Sequence, residues 1–172
     1  VGGWANLEAV RLSVAATWDE DHDYRTWWES QVTDLLNELL AADIIVGFNT
    51  NRFDYRVLSF YSDAALFLAE KTFDILAEIR QQGLGLVGLD KLSNINLGQK
   101  KLFKSDDAVS LFRRGKFEQL ETYVRHDVEL TKDLLEFWQK NGFIWVDRAR
   151  QHFAVWPGLR PTQPTGALWL QP

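Results

Sequence analysis

The sequence has no cysteine, which excludes disulfides and thiolate metal sites; any metal must sit on oxygen or imidazole ligands. It has no methionine either and opens Val1-Gly2-Gly3-Trp4, which reads as a fragment whose true start lies upstream; a processed terminus is the plainer alternative. No run of about twenty apolar residues exists, so no membrane span is expected. No basic-then-apolar leader marks a secretory signal. A cytoplasmic, reducing compartment is compatible with these absences without being demanded by them, and it is the expected location. Proline is scarce, with all 4 residues beyond Trp156, so 157–172 is read as an irregular or docking tail on a single domain spanning 1–156. Excess positive charge is missing too. The net charge of −5 speaks against non-specific coating of nucleic acid. An active site built from carboxylates is nevertheless acidic by necessity, and a phosphate track needs only a local basic patch.

What is present is aromatic and periodic. The chain has 8 Trp and 11 Phe, so large rings should fill much of the interior. Asn6 to Trp18 and Tyr24 to Trp28 have strand patterns around a polar Asp19–Asp23 tip, a hairpin by pattern. Gln31 to Ala42 places Val32, Leu35, Leu36, Leu39 and Leu40 on one helical face. Ile44 to Phe48 is an unbroken apolar run, typical of a strand covered on both sides. Helical spacing resumes at Phe53, Val57, Phe60 and Tyr61. A further helix is expected from Thr72-Phe73-Asp74 to Gln82, and another from Leu89 to Leu97. The longest helix follows Gly115, with Phe117, Leu120, Val124, Val128, Thr131, Leu135 and Trp138 as its stripe, and Phe143 to Val146 gives a closing strand. The order predicts a mixed α/β fold whose sheet lacks a central member, one expected upstream of Val1.

Two segments carry chemistry. Val46-Gly47-Phe48-Asn49 ends the buried strand, and Asp54 falls at the start of the next helix. Ligands gather at the carboxyl ends of strands in open α/β sheets. Asp54 there can bind a divalent cation or simply cap the helix. Asn49 can hold the loop or touch a sugar, and Phe53 can stack on a base or belong to the core. On the long helix Tyr123 and Asp127 are one turn apart and share a face beside the apolar stripe, so both can reach a cleft edge. They form a carboxylate ligand with a water-orienting phenol, or a partly buried Tyr–Asp pair.

Together, Asn49-x-x-x-Phe53-Asp54 and Tyr123-x-x-x-Asp127 resemble the second and third motifs of the DEDD exonuclease superfamily in its tyrosine variant. Thr72 to Leu76, Leu89 to Ser93 and Leu97-Gly98-Gln99-Lys100 are similar to its intervening segments, so the resemblance spans about Gly2 to Phe137. It is nearest to ribonuclease H-like exonuclease domains that occur alone or beside helicases. The resemblance implies a ribonuclease H-like mixed sheet flanked by helices. It implies 3′–5′ hydrolysis of phosphodiester bonds in single-stranded or 3′-terminal nucleic acid, with two Mg²⁺ or Mn²⁺ ions. Asp54 and Asp127 would be metal ligands, with Tyr123 as positioner of the attacking water. Asn49, Phe53, Lys100, Lys101, Arg113 and Arg114 would hold substrate, the four cations being ordinary surface charge otherwise. The family's first motif, Asp-x-Glu on the central strand, is absent from this chain. Asp19 and Asp21 have its spacing but sit at a hairpin tip, and Glu8 has no acidic partner, so neither replaces it. The fragment alone is therefore expected to be nearly inactive. The alternative is a non-catalytic ribonuclease H-like module that binds nucleic acid or docks a helicase. His22, His126 and His152 receive no role.

Overall fold

The computed structural model describes residues 11–100, 105–158 and 167–171; the expected strand residues 6–10, Glu8 among them, and Lys101 lie outside them. The expected hairpin forms from β1 (Val14–Asp19) and β2 (Asp23–Trp28), pairing Val14 with Trp28 and Asp19 with Asp23. Its acidic tip is a turn device: Asp19 Oδ1 accepts the N–H groups of Asp21 and His22, each at 2.9 Å. Helix α1 (Val32–Ala41) buries Val32, Leu35, Leu36 and Leu39, whereas Leu40, expected on the same face, stays exposed. Strand β3 (Ile44–Gly47) is buried throughout, as its apolar run predicts.

Helix α2 (Asp54–Leu58) and a 3-10 helix (Asp63–Lys71) lead to the first correction. Thr72–Asp74, expected to open a helix, is instead strand β4, parallel to β3, and helix α3 spans Ile75–Gln81. Thr72 and Phe73 suit an extended backbone, and Asp74 stops the strand by capping the helix that follows. Helices α4 (Leu89–Leu97), α5 (Ser105–Arg113) and α6 (Phe117–Asn141) complete the α elements. Gly142 ends α6 in the left-handed conformation (φ 75°), its N–H donating to the Trp138 carbonyl at 2.9 Å.

The second correction concerns the centre of the sheet. Its order is β2-β1-β7-β3-β4, and β7 (Ala167–Gln171) comes from the segment expected to be an irregular tail. β7 runs antiparallel to β1 and parallel to β3, so among the described residues it fills the middle of the sheet. The prolines that marked the tail flank this strand without entering it, because Ala167 to Leu170 is an uninterrupted apolar run between Pro164 and Pro172.

Side-chain alternation splits the core into two layers. Val14, Ala16, Ile44 and Val46 face the α6 layer with Phe73, Val124, Val128 and Trp138. Ala15 and Ile45 face Leu35, Leu39, Tyr55 and Leu68. In the α6 layer the rings of Phe73, Trp138 and Trp156 meet with centroids 5.3–6.1 Å apart, but Phe60, Phe67, Phe112, Phe117 and Phe153 stay exposed, so large rings fill less of the interior than expected.

The closing strand β5 (Phe143–Asp147) does not join this sheet; it pairs with β6 (His152–Val155) in a separate ribbon. Two side-chain amides cover the ribbon's outer edges. Asn96 donates to the Trp145 carbonyl and accepts the Trp145 N–H, both at 2.8 Å, and Gln82 does the same for Val155 at 2.8 and 2.7 Å. Asn96 Nδ2 also donates to the Leu92 carbonyl at 2.9 Å. Asn96→Ala removes three bonds at a nearly buried position and should destabilise the fold by about 2–3 kcal/mol in urea unfolding. A loss below about 0.5 kcal/mol would show that water replaces the amide.

Candidate active site

Strands β2, β7, β3 and β4 point the same way and only β1 opposes them, so four carboxyl ends share one edge of the sheet. The loop from β3 to α2 lies at that edge. Asn49 turns the chain there in the left-handed conformation (φ 65°), and its carbonyl accepts the N–H groups of Arg52 and Phe53 at 3.3 and 3.1 Å. Both bonds belong to the Asn49 main chain and assign its side chain neither to the loop nor to a sugar.

The loop is gripped by a residue that the motif reading passed over. Asp74, 2% exposed, accepts from the Asn49, Leu76 and Ala77 N–H groups through Oδ1 at 2.9–3.1 Å. Its Oδ2 accepts from the Asn51 N–H at 3.0 Å. One carboxylate therefore caps α3 and fixes the Asn49–Asn51 loop. Thr72-Phe73-Asp74 ahead of an apolar helix is a capping signature, and it was the available signal.

Asp54 does not cap. Helix α2 has Phe53 at its N-cap and no side-chain cap bond, and Asp54, 3% exposed, leaves Oδ1 buried without a hydrogen-bond partner. Burial pushes its carboxyl well above the ordinary carboxylate range, and the neighbouring Asp74 charge adds to that. The Thr50 hydroxyl nearby favours the charged form, but its own Oγ1 makes no bond of acceptable geometry, so burial dominates. Phe53 is half-buried against the layer of Tyr55 and Leu68, which makes it partly core. Beside it the Tyr55 hydroxyl is bonded to Thr72 Oγ1, and burial raises that phenol's pKa.

Tyr123 and Asp127 share the inward face of α6, as their spacing requires, but at 4% and 2% exposed they are not at an open cleft edge. Helix α6 lies across β1 and β7, and Asp127 sits within the buried arc with Val124, Val128 and Thr131. The Thr131 hydroxyl donates to the Asp127 carbonyl at 2.8 Å. One residue away, His126 Nε2 donates to the Lys100 carbonyl at 3.0 Å, so His126 ties the α4–α5 connection to α6. That tie brings exposed Lys100 close to the Asp127 turn. Arg113 and Arg114 are exposed at the end of α5. Among the described residues, no three acidic or imidazole side chains gather closely enough to hold one metal ion. The carboxylate seen beside Asp54 is Asp74. No family model matches the chain, and no curated protein or solved structure matches it.

Proposed function

We propose that this mixed α/β chain is a ribonuclease H-like domain of the metal-dependent 3′–5′ exonuclease type, acting on the phosphodiester bonds of single-stranded or 3′-terminal nucleic acid. The observation that carries the reading is Asp54: a buried carboxylate at the carboxyl edge of the sheet, one oxygen of which has no hydrogen-bond partner. A buried charge without a proton or cation is strongly disfavoured, and hard divalent cations take carboxylate oxygen. Asp54 thus fits a Mg²⁺ or Mn²⁺ ligand, and buried Asp127 is the second carboxylate proposed for that role. When bound, the ions supply Lewis-acid stabilisation of charge developing on the phosphodiester oxygens.

The chain's own groups do the rest. The Tyr123 phenol orients the attacking water, since a neutral phenol is a poor base. Asp74 keeps the Asn49 loop in place beside Asp54. Exposed Lys100, Arg113 and Arg114 attract the phosphate track. β7 brings Ala167, Leu168, Trp169, Leu170 and Gln171 to the centre of the sheet and contributes no acid, so further carboxylates are required for full activity. The resemblance assigns them to an Asp-x-Glu motif that this chain lacks, and a helicase domain or protein is the proposed partner.

Manganese titration by calorimetry tests this. Binding should weaken as pH falls, because Asp54 must give up its proton, and Asp54→Asn and Asp127→Asn should each abolish it. Release of mononucleotides by the unaltered chain should stay near background. Manganese affinity that neither substitution changes would overturn the proposal. A chain that binds nucleic acid but takes up no manganese would instead favour a non-catalytic module, a reading to which the acid-free β7 lends weight.

A further inference from the structure

Where α5 turns into α6, apolar side chains stay in water beside a run of cations. Phe112 is 45% exposed, Phe117 48% and Val109 49%, although Leu120, only three residues beyond Phe117, is buried. The rings are mutually ordered. Phe117 meets Trp28 edge-on with centroids 5.5 Å apart, and Phe112 meets Phe117 at 6.0 Å and 71°. Val109 lies one turn before Phe112 on the same side of α5. Between Arg113 and Glu118 the chain places three exposed cations, Arg113, Arg114 and Lys116, against one acid.

Position matters as much as composition. Trp28 ends β2, so this corner opens on the sheet edge that carries the Asn49 loop and Asp54. Along α6, Phe117 precedes Asp127 by ten residues, about 15 Å of helix. That is the length of a few stacked nucleotides.

We propose that this corner is a stacking shelf for single-stranded nucleic acid, with bases on Phe112 and Phe117 and backbone phosphates against Arg113, Arg114 and Lys116. Unpaired bases offer the π-faces that such rings need, and a duplex hides them. The clustered cations select a polyanion over an apolar protein face. Binding at the shelf does not require catalysis; the proposal rests on the exonuclease reading only in directing the strand's 3′ end toward Asp127.

The test is fluorescence anisotropy with labelled oligo(dT) and oligo(U) in EDTA, using the full chain. Phe112→Ala with Phe117→Ala should weaken binding by about tenfold per ring, and Phe→Tyr at both positions should preserve it. Arg113→Ala with Arg114→Ala should reduce the salt dependence of log K by about 0.7 per lost phosphate contact. Circular dichroism melts check folding; if the alanine pair unfolds, the arginine pair decides, and an unchanged salt slope overturns the shelf. Unchanged affinity in the folded alanine pair also overturns it. So does a dimer that the alanine pair converts to monomer without loss of binding, since that marks the face as a contact between copies. The assay is run in EDTA and reads binding without metal, so a failed exonuclease reading leaves this result intact.

Discussion

Asp74→Ala is expected to destabilise the chain by about 3–5 kcal/mol. Hydrogen bonds to a charged acceptor contribute roughly 1.5–3 kcal/mol each, and loss of a helix cap alone costs about 1 kcal/mol. Four N–H groups depend on this carboxylate, two at the start of α3 and two in the Asn49–Asn51 loop, but three share one oxygen, so their contributions do not add fully. Asp74→Asn can retain the Oδ1 acceptor while losing the Asn51 bond, and should lose about half as much. Urea unfolding gives the totals, and hydrogen exchange at the Asn49 and Asn51 amides reports the loop alone. A loss below about 1 kcal/mol for the alanine variant would show that the loop holds its shape without Asp74.

Asp54→Asn is expected to act in the opposite direction on stability while removing the metal ligand. The folded-state carboxyl of Asp54 is raised well above its ordinary value of 3.8 because burial disfavours its charge. A carboxyl raised on folding holds its proton better in the folded state than in the unfolded one. Its favourable contribution is therefore complete below pH 3.8 and is lost as pH rises through the folded-state pKa. The asparagine variant lacks this dependence and should be more stable at neutral pH by about 1–3 kcal/mol, the usual desolvation penalty of an unsatisfied buried group. Stability measured from pH 4 upward should decline for the unaltered chain, and this component should be flat for the variant. A variant that is less stable at neutral pH and keeps the same pH slope would mean that Asp54 is already satisfied.

Much of the secondary structure was legible because it rests on local periodicity. The α1 and α6 stripes, the β1–β2 hairpin and the buried β3 strand all follow from where apolar residues recur. Leu40 and Phe117 fit the same periodicities yet remain exposed, because a helix end can run past the layer it packs on. The break between β4 and α3 was misplaced: three residues are too few to show a strand's period. The parallel pairing with β3 makes Thr72–Asp74 extended. Asp54 and Asp127 were identifiable as candidates from their positions on a strand end and a helix. Their burial was not, since Asp127 reads as beside the stripe until α6 is laid on the sheet.

By itself, the sequence determined that metal ligands must be oxygen or nitrogen, that helices and a few strands alternate, and where two acid-bearing motifs fall. Those properties depend on composition and on residues within a few positions of one another. Only the tertiary structure decided that a segment near residue 170 fills the centre of the sheet, that Asp74 serves both a helix and a loop, and that Phe112, Phe117 and Trp28 come together. Each of these joins residues far apart in the chain or brings together separate elements, through backbone pairing, a shared carboxylate or packed rings, and local pattern carries no record of such encounters.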